Sequence, residues 1–411
     1  MKGKIALLHY SSPPVIGGVE FVLEAQAKFL LSRGYGVRLL TGKGEKFHPQ
    51  LEFSLIPELY SLHPWTKKVQ EELKKGKLEE FYSLKNYLRE RLSSSLEEIS
   101  LVIAHNIFTM PFNMALTAVC HELSQKKRFI VWVHDSPYFD PSYKDFLSSI
   151  PQDEYPWNLL RGYLPQAHYV TITSARKDKL VEILGFPEDR VRVIPNGIDI
   201  QSILGLNPEV KKIIEFYGLR RKRWWGLFPA RLIRRKNVEL AIDILGEMNH
   251  LEEDKTALII TGPPDPHREG REYLRILKER AEEKGVSGEI IFLCDYPERE
   301  GDFFRVSFPL LRSLYLLSDF ILITSYQEGF GIPVLEGGIF RLPVFASDIS
   351  TLKEVGGEEV YYFSLEDSPS KIARDIKKVL QTTPSLSLFN RVKRESDWES
   401  ILEKHLLPLL L

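Results

Sequence analysis

Short apolar runs alternate along this chain with longer stretches in which apolar residues recur every three or four positions. In the first half, Ile5–His9, Gly36–Thr41, Leu101–His105, Phe129–His134 and His168–Thr173 are the short runs. Such runs, bounded by turn residues, read as buried strands. Helical periodicity lies between several of them, notably over Glu20–Arg33 and Phe112–Ser124. The second half repeats the scheme. Trp224–Pro229, Thr256–Thr261, Glu289–Leu293, Phe320–Thr324 and Pro343–Ala346 read as strands, and Asn237–Met248, Arg271–Gly285, Leu310–Leu317 and Val334–Phe340 as helices. Alternating β and α predicts an α/β fold with parallel, doubly wound sheets. Between Pro64 and Ile99 the pattern is long, helical and charged. It reads as a helical insertion with solvated faces; an arm for a membrane surface or an acceptor is the other reading.

A chain of 411 residues is too long for one ordinary domain, so two are expected. Asn196-Gly197 is a strong turn signal and marks the boundary. Two domains of similar size imply a cleft between them, a usual place for ligands. Hydrophobic content of 43% and charged content of 27% fit a globular protein with an ample core. The formal net charge of −1 supplies no global field for nucleic acid or a membrane. Cys120 and Cys294 lie far apart and lack CxxC spacing, which argues against a disulfide framework or a zinc site and for a reducing compartment. The apolar run Ile5–Leu8 is too short for a signal peptide, and no run reaches the roughly 20 apolar residues that span a bilayer. A cytoplasmic protein is expected, with any membrane contact peripheral and at the inner face.

The segment Glu328-Gly-Phe-Gly-Ile-Pro-Val-Leu-Glu336 carries the most chemistry. Strand, glycine turn and helix start together form an anion site, because unpaired N–H groups and the helix dipole favour phosphate there. Ionised carboxylates only accept hydrogen bonds, which suits the O–H donors of a sugar. Phosphate and hydroxyls in one pocket describe a nucleotide sugar; an ordinary βα loop with a capping Glu is the plainer reading. In Arg231-Leu-Ile-Arg-Arg-Lys236, Arg231 offers a planar fork and Lys236 a point charge for phosphate oxygens. Two fixed cations would stabilise a departing diphosphate more than its ground state. With these cations no metal is required, and no Asp-x-Asp pair is framed for one in this region. The basic run Arg220–Lys236 could be a solvated face or a nucleic-acid tract, but Trp224-Trp225-Gly-Leu-Phe inside it reads as a buried strand. His134 and His105 each end a strand, where a side chain can point into a cleft or be a satisfied structural residue. Gly17 and Gly18 let backbone approach a ligand closely, with Glu20 as a helix cap; this is not a dinucleotide fingerprint, since no G-x-G-x-x-G is present.

Taken in order, these segments resemble the family-4 retaining glycosyltransferases of GT-B fold, the glycosyl transferases of group 1. Two acidic residues separated by seven, with Gly-Phe-Gly-Ile-Pro between, are similar to that family's signature. Pro195-Asn-Gly-Ile-Asp199 resembles the stretch that opens its second domain, and Gly17-Gly18-Val19-Glu20 its N-terminal glycine turn. The resemblance implies two Rossmann-like domains facing a central cleft. Residues 1–198 would bind the acceptor, with the insertion at about 60–100; residues 199–390 would bind the nucleotide sugar; residues 391–411 would form a helix crossing back. It implies a catalytic set of His134, Glu328, Arg231 and Lys236. Donor contacts would come from Arg231, Lys236, Glu328, backbone N–H groups of Phe330 and Gly331, Glu336 at the ribose, and Gly17. Gly18 and His105 would lie on the acceptor side. Asp348 and Glu354 read as structural.

The implied activity is hexosyl transfer from a nucleotide diphosphate sugar to a hydroxyl of a carbohydrate or glycosylated acceptor. It needs neither metal nor cofactor, since the nucleotide sugar is a co-substrate, and it involves no nucleic acid. Attack is from the front face, a donor phosphate oxygen takes the acceptor proton, and His134 positions the sugar. A GT-B epimerase is one alternative, for which Asp135 is the only tempting acid–base group in the first half; a non-catalytic partner subunit is another. The donor base, the sugar, the acceptor and the oligomeric state are open. Thr261–Pro264 and Asp295–Tyr296 are the stretches read as selecting the base.

Overall fold

The structure is a computed structural model that describes residues 2–250, 252–266, 270–297 and 303–410. The chain forms two compact units. The first comprises Met1–Ile198 and Trp398–Leu411, the second Asp199–Asp397.

The first unit is built on seven strands: β1 Lys2–His9, β2 Tyr35–Thr41, β3 Glu52–Leu55, β4 Leu101–His105, β5 Arg128–Val133, β6 His168–Thr171 and β7 Val191–Val193. They form one parallel sheet in the order β3-β2-β1-β4-β5-β6-β7. Ile5 aligns with Val37 on one side and Leu101 on the other, and His105 aligns with Trp132. The strands are apolar throughout because both faces are covered. Alternate residues then divide between two cores. Ala6, Leu8, Val102 and Val131 face one core. Ile5, Leu7, Ile103 and Ile130 face the other, together with Leu23, Ala27 and Leu30 of the helix Gly18–Ser32 and Leu402 and Leu406 of the C-terminal segment.

The charged stretch after Pro64 does form helices, Pro64–Lys74 and Glu79–Ser95, but it is more than a solvated insertion. Val69, Leu73, Phe81, Leu84, Leu88 and Leu92 are buried in the first core. These positions recur at helical spacing, and the two helices pack against each other, the second also against the helix Met114–Leu123. Their apolar side chains are occupied inside the protein and are not offered to a membrane.

The second unit carries β8 Trp225–Phe228, β9 Ala257–Ile260, β10 Ile290–Phe292, β11 Phe320–Ile323, β12 Val344–Ser347 and β13 Tyr361–Phe363, all parallel, in the order β10-β9-β8-β11-β12-β13. Helices Val238–Asn249, Gly270–Glu283, Phe308–Leu317, Ile332–Phe340, Pro369–Thr382 and Pro384–Glu395 belong to this unit. The last is anchored by Lys393, whose ammonium donates to Asp319 Oδ2 at 2.7 Å and to the Leu317 carbonyl at 2.9 Å in full burial.

Strand order reverses between β1 and β4 in the first sheet and between β8 and β11 in the second. Loops leaving the carboxyl ends of such strands diverge and open a crevice, the general ligand site of open α/β sheets. The predicted strands β5 and β11 run one residue past the observed ones. His134 and Thr324 leave the ladder to begin the loops. Among the described residues no helix is long and apolar enough to cross a membrane.

Candidate active site

In the second unit, the loops after β8 and β11 meet at the reversal point. The first runs from Arg231 through a short turn, Arg234–Lys236, to Asn237. Asn237 sits in the left-handed region, φ 49°, which Asn tolerates, and its side chain caps the helix Val238–Asn249. Thr324 Oγ1 donates to the carbonyls of Lys236 and Asn237 at 3.0 and 2.7 Å, holding the turn against the end of β11. Lys236 is 9% exposed, and its Nζ donates to Glu328 Oε1 at 2.5 Å. The same oxygen accepts from Ser325 Oγ at 2.6 Å. Arg235 donates to the Gln327 carbonyl at 2.9 Å and lies 3.4 Å from Glu328 Oε2.

Arg231 is exposed and makes no ion pair among the described residues. It lines a pocket with Thr261, Gly262, Pro263, Arg271 and Arg305. Of the two stretches read as selecting a base, Thr261–Pro264 lines this pocket. Asp295 and Tyr296 do not appear among its described lining; Asp295 instead pairs with Lys278 at 2.7 Å.

Gly331 caps the helix Ile332–Phe340 at φ +94°. A Cβ there would also come within 2.7 Å of Leu352, so only glycine fits. The N–H groups of Phe330 and Gly331 have no hydrogen-bond partner among the described residues. Phe330 is exposed. Glu336 is half-buried, and its Oε2 accepts from the Tyr315 hydroxyl. Burial first, then this carboxylate, push the Tyr315 phenol far up from its ordinary value.

In the first unit, β1, β4 and β5 each end at or just before a histidine. His9 Nδ1–H donates to the His105 carbonyl at 2.9 Å. His105 is fully buried. Its two ring nitrogens meet Gln26 Oε1 at 3.0 Å and His134 Nε2 at 2.9 Å; the His134 ring meets it edge to edge and nearly coplanar, and the Trp132 ring lies near-parallel to it at 5.5 Å. His105 is thus sealed from solvent, with both ring nitrogens engaged inside the first unit. His134 is 7% exposed. Burial, then the charges of His9 and Arg176, lower its pKa to about 3, so the ring is neutral at ordinary pH. The N–H groups of His134 and Asp135 both donate to Asn106 Oδ1, at 2.8 and 3.1 Å. Asp135, the acid–base group an epimerase would need, is ion-paired to Arg176 at 2.8 Å.

Gly17 and Gly18 lead into the helix Gly18–Ser32. Glu20 does not cap it; the carboxylate is buried, accepts from Ser11 Oγ at 2.6 Å and occupies the space a Cβ at residue 17 would need. At Gly18 the corresponding position meets no other described residue beyond its own chain neighbours and helix backbone within 4 Å.

Residues 16–202 match Glycosyltransferase Family 4, and residues 209–395 match Glycosyl transferases group 1. The chain belongs to the family-4 glycosyltransferases. The glycosyltransferase is 25% identical over 389 residues to the mannosylglucosylglycerate synthase of Thermotoga maritima, covering 89% of this chain and 85% of the relative. It is 25% identical over 306 residues to the Petrotoga mobilis enzyme of the same name, covering 65% and 67%. Among solved structures it is similar to Anabaena HepE in complex with UDP and glucose, at 18% identity, TM-score 0.36 and 99% coverage of both chains.

Of the residues picked from sequence, the glycosyltransferase joins Lys236 to Glu328 and His105 to His134 by hydrogen bonds. It turns Glu336 toward Tyr315 and leaves Arg231 in the neighbouring pocket. Arg235, Ser325, His9 and Gln26 were not singled out, although all four sit among the candidate residues. One signal existed for His9. It ends its apolar run as His105 and His134 end theirs.

Proposed function

We propose that this glycosyltransferase moves a hexosyl group, specifically mannosyl, from a nucleoside diphosphate sugar to a hydroxyl of a small polar sugar acceptor, with retention and without a metal. The observation that carries the reading is the assembly at the β8/β11 reversal point. Lys236, Glu328 and a glycine turn with two unpaired N–H groups sit there, and Arg231 leaves the same β8 loop. Cations and N–H donors suit a diphosphate, and carboxylates suit sugar hydroxyls. As the diphosphate departs, Arg231 and Lys236 would meet the charge a metal ion would otherwise neutralise. Glu336 would accept from the ribose through the oxygen that Tyr315 leaves free.

In the first unit, neutral His134 would accept from a hydroxyl of the transferred sugar and act as a positioner. The acceptor proton would pass to a donor phosphate oxygen. The choice of mannose and of a small solute acceptor is supported by the activity named for the Thermotoga and Petrotoga relatives. The reading includes a cytoplasmic setting with membrane contact at most peripheral.

Thermal-shift screening against UDP-, GDP- and ADP-sugars tests the proposal. A ligand at a hundred times its Kd stabilises the native state by roughly 2.7 kcal/mol, so one donor class should raise Tm clearly. NMR of the product with that donor should show the donor's anomeric configuration. No shift and no turnover with any nucleotide sugar would refute the donor assignment, and an inverted product would refute retention.

A further inference from the structure

The hydrogen-bonded series Gln26–His105–His134 has a direction. Gln26 comes from the helix Gly18–Ser32 and is completely buried. Its Oε1 faces His105 Nε2 at 3.0 Å, while its own Nε2 is buried without a partner among the described residues. A buried amide with an unsatisfied N–H₂ weakens a fold, and an aliphatic side chain there would cost less. The amide is therefore better explained by what its oxygen does.

An amide oxygen only accepts, so His105 must carry its proton on Nε2. A neutral imidazole then has a lone pair on Nδ1. That nitrogen lies 2.9 Å from His134 Nε2, which must donate. The remaining nitrogen of His134, Nδ1, holds a lone pair and has no partner among the described residues. His105 itself is held by two further contacts. His9 donates to its carbonyl, and Trp132 stacks on its ring. The three rings act on one another, and the other charged groups that bear on them are Glu20, which acts on His9, and Arg176, which acts on His134.

We propose that Gln26 and His105 are positioning residues that fix the tautomer and plane of His134, so that a neutral His134 presents an Nδ1 lone pair to a hydroxyl of the transferred sugar. The assignment deepens the proposed function and rests on its placement of His134 beside that sugar. Neither Gln26 nor His105 touches substrate. A ring free to exchange tautomers would spend part of its time with an N–H where an acceptor is needed, and would hold the sugar in a poorer attack geometry.

The test is ¹⁵N NMR of the imidazoles in the whole protein, with His134 assigned by its loss in His134→Asn. His134 should resonate as the neutral Nε2–H tautomer. In Gln26→Leu that signature should move toward a mixture, and kcat should fall about tenfold while donor KM stays within about twofold, the pattern of lost orientation without lost ground-state binding. Gln26→Met is the second variant, should Gln26→Leu not fold. An Nδ1–H tautomer in the unaltered protein, or an unchanged tautomer and kcat in a folded Gln26 variant, overturns the proposal. Full turnover by His134→Asn would instead refute the placement of His134 beside the sugar, and with it the catalytic purpose of the series; the tautomer measurement would still report the series itself.

Discussion

Lys236 Nζ lies 2.5 Å from Glu328 Oε1, in a pair whose side chains are 11% and 6% exposed. The two residues come from loops that follow β8 and β11, the strands flanking the reversal of the second sheet. A pair so little exposed escapes most of the solvent screening that makes surface ion pairs weak. An ammonium has three donors, so Lys236 can keep Glu328 and still bind a phosphate oxygen. Glu328 thus holds the ammonium in one place.

Lys236→Ala should lower kcat at least about a hundredfold, since removing one preorganised stabiliser of developing charge costs roughly 3–4 kcal/mol. Arg235 and Ser325 still hold Glu328, so the fold should survive. Steady-state kinetics on protein with an unchanged melting profile decides the matter; near-normal turnover would remove Lys236 from the site.

Activity should withstand EDTA. If Arg231 and Lys236 neutralise the leaving group, chelation removes nothing the reaction uses. Loss of turnover in EDTA that Mg²⁺ or Mn²⁺ restores would sink the metal-free mechanism.

Acid should weaken the first unit in a defined window. Burial lowers His134 to about 3 and His121 to about 4, against an ordinary value of 6.5. Their native forms bind fewer protons than the unfolded chain, so stability is fully present above 6.5 and lost as pH falls toward 4 and then 3. Each group contributes a slope of about 1.4 kcal/mol per pH unit inside its window. Urea denaturation at pH 7.5, 6, 5 and 4.5 should show it, and His121→Asn should flatten the decline. A flat stability profile from 7.5 to 4.5 would contradict the burial of these rings.

Lys393→Ala should destabilise the second unit by roughly 3–5 kcal/mol, because it leaves Asp319 buried without its cation. Trp225 N–H still donates to Asp319 at 2.7 Å, so folding itself should persist. The urea midpoint measures the change. Lys393→Met combined with Asp319→Asn should recover much of the loss, since removing both charges avoids a stranded carboxylate. A single-variant cost under about 1 kcal/mol would mean the site admits water.

Much of this protein was legible locally. Apolar runs of strand length, the turn at Gly331 and the alternation with helical periodicity depend on neighbours a few residues apart, so each strand that positions the candidate site could be read in place. β3, β7 and β13 escaped because they are three or four residues long and carry exposed positions such as Glu52 and Tyr361. The helices after Pro64 were legible as helices, but which of their faces was covered was not, because charge in the sequence masked the apolar spacing of Phe81, Leu84, Leu88 and Leu92.

By itself, then, the sequence determined the parallel α/β class and which charged, polar and glycine residues follow each strand. Tertiary structure alone decided the pairings. Lys236 and Glu328 are 92 positions apart, and His105 and His134 are 29 apart. They meet because β8 lies beside β11 and β4 beside β5. Strand neighbourhood comes from long-range backbone hydrogen bonding and from the burial of both sheet faces, and neither leaves a mark in local periodicity. For the same reason Gln26, an unremarkable polar residue on the helix Gly18–Ser32, became visible as a partner of His105 only once that helix was packed on its sheet.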